Sequence, residues 1–187
     1  MKERPILFSG PMVRAILEGR KTQTRRALQL DSSWRKLIVL GHHKNRFGAL
    51  FGKQEPHVRL DQFVPCPYGQ PGDRLWVREA WAVHPETGSL LYRADDIAPT
   101  PIDIHWKPSI HMPRKHSRIM LEITGIKVER VQAISWEDAL AEGTDSDPAT
   151  TDAVGSFAKY WNYINGAEAW GINPWVWVVG FKRIKAT

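Results

Sequence analysis

The nine residues DRLWVREAW, 73–81, alternate strictly between two sides, with Leu75, Val77, Glu79 and Trp81 on one and Arg74, Trp76, Arg78 and Ala80 on the other. A side-chain period of two belongs to a strand with one face against a core, so the chain is built on a sheet. The same alternation places a carboxylate, Glu79, on the apolar side. A carboxylate turned into a core needs a cation, and Lys21, Arg25 and Arg26 are the candidates.

Around this strand the pattern changes along the chain. PILFS is a short strand, and GPMVRAILEGRK sets Met12, Val13, Ile16 and Leu17 at helical spacing between Pro11 in the first turn and Gly19 at the stop. In SRIMLEITGIKVERVQAI, Ile119, Leu121 and Ile123 share a side, and Gly125 marks a bulge or bend before Ile126 and Val128. SWEDALAEG has Ser135 and Asp138 at capping spacing and Gly143 as its stop. A further helix follows through Phe157, Tyr160, Trp161 and Ile164, and the aromatic and β-branched NPWVWVVGFKRI is a buried last strand. Two stretches break the rhythm. Residues 30–70 mix polar, basic and turn-forming types and are expected to carry little regular structure; APTPIDIHWKPSIHMPRKH, with four prolines, is expected to drape as a loop within a second insertion, 82–116.

The expected architecture is a small α+β fold, a mixed β-barrel flanked by short helices with two long loop insertions, forming one domain over 1–187. A chain of 187 residues, 42% hydrophobic, suits one core. The formal charge of +6 suits acidic or phosphate-bearing partners. The single cysteine, Cys66, excludes an intramolecular disulfide framework and a cysteine-rich zinc site, which fits a reducing, cytoplasmic setting. No apolar run approaches the ~20 residues of a membrane span, and MKERPILFSG lacks the features of a signal peptide. His105, His111 and His116 match no metal-binding spacing, and no phosphate-binding GxxxxGK[ST] loop is present, so no metal and no organic cofactor are expected. Of nine tryptophans most are expected in the core, with Trp34 or Trp106 free to stack on a base.

Chemistry concentrates in EGRKTQTRR, Glu18 to Arg26. As a plain helix end, Arg20 and Lys21 would only complement the helix dipole. If the chain runs extended after Gly19, Lys21, Gln23 and Arg25 face one way and Thr22, Thr24 and Arg26 the other. Lys21 lies at the turn, where its long stem can fold toward Thr24. A lysine kept neutral by burial or by neighbouring arginines serves as a base, and a threonine hydroxyl beside it as a nucleophile. Glu142 ends a short helix, where the dipole disfavours negative charge, and can orient the lysine or shuttle its proton.

The segment resembles the hallmark GxKxxExR of the ASCH domain family, small PUA-like β-barrels: Gly19, Lys21 and Arg26 match, and Thr24 stands at the acidic position. With K-T-x-T-x-R it is similar to the ASCH amidohydrolases that act on N4-acetylcytidine through a Lys-Thr-Glu set; Lys21 and Thr24 correspond directly and Glu142 through ALAE. PGDRLWVRE resembles the family's Gly-Asp turn into a strand, while SIHMPR and NPWVWVV resemble ASCH proteins commonly encoded in phages. The resemblance implies hydrolysis of an N4-acylcytidine or N4-acylcytosine with Lys21, Thr24 and Glu142 catalytic, and Ser9, Arg26 and Glu79 are expected to line the pocket and contact the base or the developing oxyanion. The alternatives are an RNA-binding PUA-like module, with or without nuclease activity, and a phage assembly-associated protein. The partners expected are a modified nucleoside or base, or RNA, and no membrane.

Overall fold

A computed structural model describes residues 1–28, 36–43, 46–55, 58–95, 103–144 and 152–185. β10 (Trp175–Ile184) organises the fold because its alternating residues are buried on both faces. Trp177, Val179 and Phe181 point into the main core with Ile6, Phe8, Val13, Leu75, Val77, Leu121 and Ile123. Val176 and Val178 point to a second core with Val131, Ala139, Phe157 and Trp161. A strand covered on both sides belongs at the centre of a sheet, and fully burying a Val or Phe side chain contributes roughly 1.5–3 kcal/mol.

β10 pairs antiparallel with β9 (Met120–Arg130) on one side and with β2 (Gln23–Ala27) on the other. The full sheet order is β1-β6-β9-β10-β2, in which β1 (Glu3–Leu7) runs parallel to β6 (Arg74–Arg78). The expected bend near Gly125 is a bulge: Gly180 pairs with Gly125, but Phe181 pairs with Ile123, leaving Thr124 extra. The barrel is not closed. β1 and β2 are the two edges, and a side chain links them, Arg26 donating from Nη2 to the Leu7 carbonyl at 2.6 Å. A ring and a guanidinium occupy the seam, with Arg26 over Phe8, where a closed barrel would have a ladder.

α1 (Gly10–Leu17) packs on the main core through Val13 and Ile16. α2 (Trp136–Ala141) and α3 (Ala153–Asn165) cover the outer face of β10. The Ser135 hydroxyl caps α2 by accepting from the Asp138 N–H, while the Asp138 carboxylate turns away to Arg25 and Lys127.

Both insertions need correction. Residues 30–70 hold a three-stranded antiparallel sheet, β3 (Lys36–His43), β4 (Arg46–Glu55) and β5 (Val58–Pro65), and not a loop. Ala49 and Phe51 are fully buried in the main core, and Phe51 meets Trp175 edge-on at 5.4 Å. Glycines dilute the alternation there for a packing reason: a Cβ on Gly48 would strike the Val64 carbonyl. In the second insertion β7 (Trp81–Val83) and β8 (Leu90–Tyr92) form a hairpin, and residues 103–116 hold two single turns at Ser109–His111 and Arg114–His116. The stretch 73–81 is thus two strands, broken at Glu79 and Ala80. Among the described residues no helix is long and apolar enough to cross a membrane.

Candidate active site

The turn after α1 delivers Lys21 into the protein. Gly19, at φ +78, ends the helix, the Lys21 N–H bonds back to the Ala15 carbonyl, and the Thr22 N–H bonds to the Ala141 carbonyl of α2. These bonds bring the end of α1 against the end of α2. The Lys21 side chain is fully withdrawn from water and its Nζ donates to the Glu142 carbonyl at 2.7 Å and to Glu142 Oε2 at 2.8 Å. Gly143, at φ +73, lies directly on the lysine stem, where an added Cβ would stand 2.8 Å from both Lys21 Cβ and Ala15 Cβ. A side chain there would displace the lysine.

Glu142 is shared. Its Oε1 accepts from Arg25 Nη1 at 3.1 Å, while Arg25 Nη2 donates to Glu129 at 2.6 Å and to Asp138 at 2.7 Å. Lys127 closes the group from the surface, 2.8 Å from Asp138 and 3.2 Å from Glu129. Three cations, Lys21, Arg25 and Lys127, thus interleave with three carboxylates, and the charges balance when all six are ionised. Burial lowers the Lys21 pKa; Glu142 opposes that shift, and the charges of Arg26 and Arg25 reinforce it. Burial also works against the Arg25 charge, but Glu142, Glu129 and Asp138 outweigh it and raise its pKa.

The extended alternative for EGRKTQTRR is the one adopted. Lys21, Gln23 and Arg25 all reach α2 or its end, Gln23 by donating to the Asp138 carbonyl, while Arg26 lies on the other side over Phe8. Lys21 Nζ nevertheless comes within 5.7 Å of the Phe8 ring centroid, and Arg26 Cζ within 5.2 Å. The two cations thus share one ring, while both hydrogen bonds of the lysine tip go to Glu142 and none to Thr24. The Thr24 hydroxyl is buried and has no hydrogen-bond partner among the described residues.

The other expected site residues are placed differently. Ser9 precedes α1 and its hydroxyl pairs with the Tyr160 hydroxyl at 2.8 Å. Glu79 is buried as expected, but its cation is Arg118, not Lys21, Arg25 or Arg26: Arg118 donates from Nε and Nη2 to its two oxygens, each at 3.0 Å, and also holds Asp95. Glu79 sits at the end of β6, so β9, the next strand in the sheet, brings Arg118 to it. Burial opposes the Arg118 charge, but Glu79 and Asp95 together raise its pKa strongly.

A cleft of about 180 Å³ opens beside this group, lined by Pro11, Met12, Glu142, Gly143, Thr144, Ser156 and Tyr160. Glu142 is the one expected site residue in its lining. Two residues escape the sequence reading of the site: Arg25, which shares the parity of Lys21, and Tyr160, which periodicity marks only as a helix residue. Among the described residues no three His, Cys, Asp or Glu side chains are grouped to hold a metal ion. Trp161 and Trp177 are buried, Trp106 is half-buried, and Trp34 lies outside the described residues.

Comparison with family models and with curated proteins yields no match. Among solved structures the chain is similar to the crystal structure of protein EF3133 from Enterococcus faecalis V583, of the DUF984 family. That likeness covers 99% of this chain and 82% of the other at 10% identity and a TM-score of 0.45.

Proposed function

We propose that the protein is an amidohydrolase that removes the acyl group from N4-acylcytidine or N4-acylcytosine. The observation that carries this reading is the dry Lys21–Glu142 pair beside a strand that presents the buried, unpartnered Thr24 hydroxyl. A buried hydroxyl without a partner is costly to keep, and Thr24 Oγ1 is left free to bond a substrate; as nucleophile it would need Lys21 to come within hydrogen-bond reach when substrate binds. The resemblance of K-T-x-T-x-R to the ASCH amidohydrolases names the substrate class.

In this mechanism Thr24 Oγ1 attacks the amide carbonyl as its proton passes to neutral Lys21. The lysine returns that proton to the pyrimidine N4, which leaves as the free amine, and water releases the acid from the threonine ester. The sum is one amide and one water giving an amine and a carboxylic acid. Glu142 acts as the lysine orienter, with Oε2 on Lys21 and Oε1 held by Arg25. Burial lowers the Lys21 pKa, and the Arg26 charge adds to that shift. The cleft is smaller than the roughly 300 Å³ at which drug-sized sites begin, which suits the base end of a nucleoside. Tyr160 lines it, and Ser9 reaches it only through its bond to the Tyr160 hydroxyl. Glu79 is locked to Arg118 and ties the end of β6 to the start of β9.

Chromatographic assay of N4-acetylcytidine with the wild type, Lys21→Ala, Thr24→Ala and Glu142→Ala is the test. Loss of a positioned acid–base group costs about 100-fold or more; equal rates in all four proteins end this reading.

A further inference from the structure

A second concavity, unrelated to the lysine site, opens at the opposite end of β1. It has a volume of about 430 Å³ and lies between the start of β1, the start of β6 and the β4–β5 face of the inserted sheet. Among the described residues Lys2, Arg4 and Arg46 supply three cationic side chains to its wall, and Asp73 is its one carboxylate. Both Asp73 oxygens are already committed, Oδ1 to the Lys2 backbone N–H at 2.7 Å and Oδ2 to Arg4 Nη1 at 2.9 Å. Burial would raise the Asp73 pKa, but these donors outweigh it and hold the carboxyl below its ordinary value, so it remains the fixed anchor of Arg4.

That anchoring leaves donors over. Arg4 uses only Nη1 on Asp73, so Nε and Nη2 have no protein acceptor among the described residues. The side chains of Lys2 and Arg46 make no hydrogen bond or ion pair among the described residues. Gly69, at φ +115, presses bare backbone against the pair: an added Cβ would stand 2.5 Å from Arg4 Nη1 and 2.6 Å from Asp73 Oδ2. One arginine is thus fixed in position, and two free cations converge on the same hollow from a different strand and from the chain start. A fixed guanidinium fork with two mobile cations and a net positive wall matches the geometry and charge of a phosphate group.

We propose that this cavity binds a phosphate group. The inserted sheet then has a binding role as well as a packing one, because Arg46 opens β4 and reaches a hollow whose other wall is the start of β1.

The test is calorimetric titration of the whole protein with inorganic phosphate, cytidine 5′-monophosphate and a single-stranded RNA of ten nucleotides. Lys2→Ala with Arg46→Ala is the variant, since both side chains are exposed; Arg46→Glu alone replaces it should the double variant melt early. Wild type is expected to bind, and removing the cations to weaken binding by at least about tenfold. Binding of RNA alone assigns the phosphate to a polymer backbone, and binding of the two small probes assigns it to a free phosphate or nucleotide. No binding of any probe at millimolar concentration, or equal affinity in variant and wild type, overturns the proposal. Lys21→Ala is expected to bind inorganic phosphate unchanged, so this site and the hydrolytic reading stand or fall separately.

Discussion

Lys21 Nζ and Glu142 Oε2 meet at 2.8 Å across 121 positions of sequence, with both side chains all but removed from water. Such a pair is held as a set. Charges inside a protein lose their hydration, and removing one partner leaves the other uncompensated. Glu142 answers two cations, Lys21 and Arg25, whereas Lys21 answers one carboxylate.

The two halves of the pair are therefore unequal in a way that denaturation can measure. Glu142→Gln leaves two buried cations facing a neutral amide and is expected to cost about 3–5 kcal/mol. Lys21→Met removes the most desolvated charge and leaves Glu142 still answered by Arg25, so it is expected to cost clearly less. Urea unfolding of both variants gives the order; a larger loss for Lys21→Met would contradict the shared-carboxylate account.

Hydrolysis that uses neutral Lys21 as its base must speed up as pH rises through the lysine's pKa. Burial, with Arg26 and Arg25 adding to it, places that pKa below 10.5, so the rising limb of kcat/KM lies below 10.5 as well. Arg26→Gln removes one repelling charge, raises the Lys21 pKa and moves the limb to higher pH. The position of the limb is the readout, because loss of the Arg26 bond to Leu7 lowers overall stability without moving a titration. An unmoved limb would take Arg26 out of the site's electrostatics.

Acid stability tests the outer half of the same network. Burial would raise the Asp138 pKa, but hydrogen bonds from Lys127, Arg25 and Gln23 outweigh it and lower the pKa below 3.8. The unfolded chain then binds the proton first as pH falls, so this contribution is full above 3.8 and is lost as pH drops through the folded value. Asp138→Asn is expected to be less stable than wild type at pH 7, and the gap to narrow below pH 3.8. Unfolding midpoints of the two proteins from pH 7 to pH 2.5 make the comparison.

How much of this could be seen beforehand follows the range over which each signal acts. Local periodicity marked β6, α1, α2, α3 and β10, since each repeats within its own few residues. The Lys21 turn was legible because Gly19 stops a helix just before a basic run, and Glu142 because Gly143 stops another. What could not be read was who meets whom. Glu79 faces inward, as its parity required, but its cation comes from Arg118, 39 residues away, and only the β6–β9 pairing selects it. Arg25 looked like one of a pair of arginines, and only the approach of α2 separates its role from that of Arg26. The β3–β5 sheet hid because Gly41, Gly48 and Gly52 interrupt its pattern, and at Gly48 the neighbouring strand comes too close for a Cβ.

That sheet is part of the fold's stability, and Phe51 shows it. Its ring is fully buried, sits edge-on to Trp175 at 5.4 Å and belongs to the same core as Phe8 and Trp177. Truncating a buried phenylalanine removes its transfer free energy and leaves a cavity, together about 3–5 kcal/mol. Phe51→Ala is accordingly expected to lower the stability of the whole domain in one cooperative transition, with tryptophan fluorescence and far-ultraviolet dichroism changing together. An independent appendage would melt in a separate, earlier step and leave the Lys21 site intact, so two transitions in Phe51→Ala would show that the inserted sheet does not share the main core.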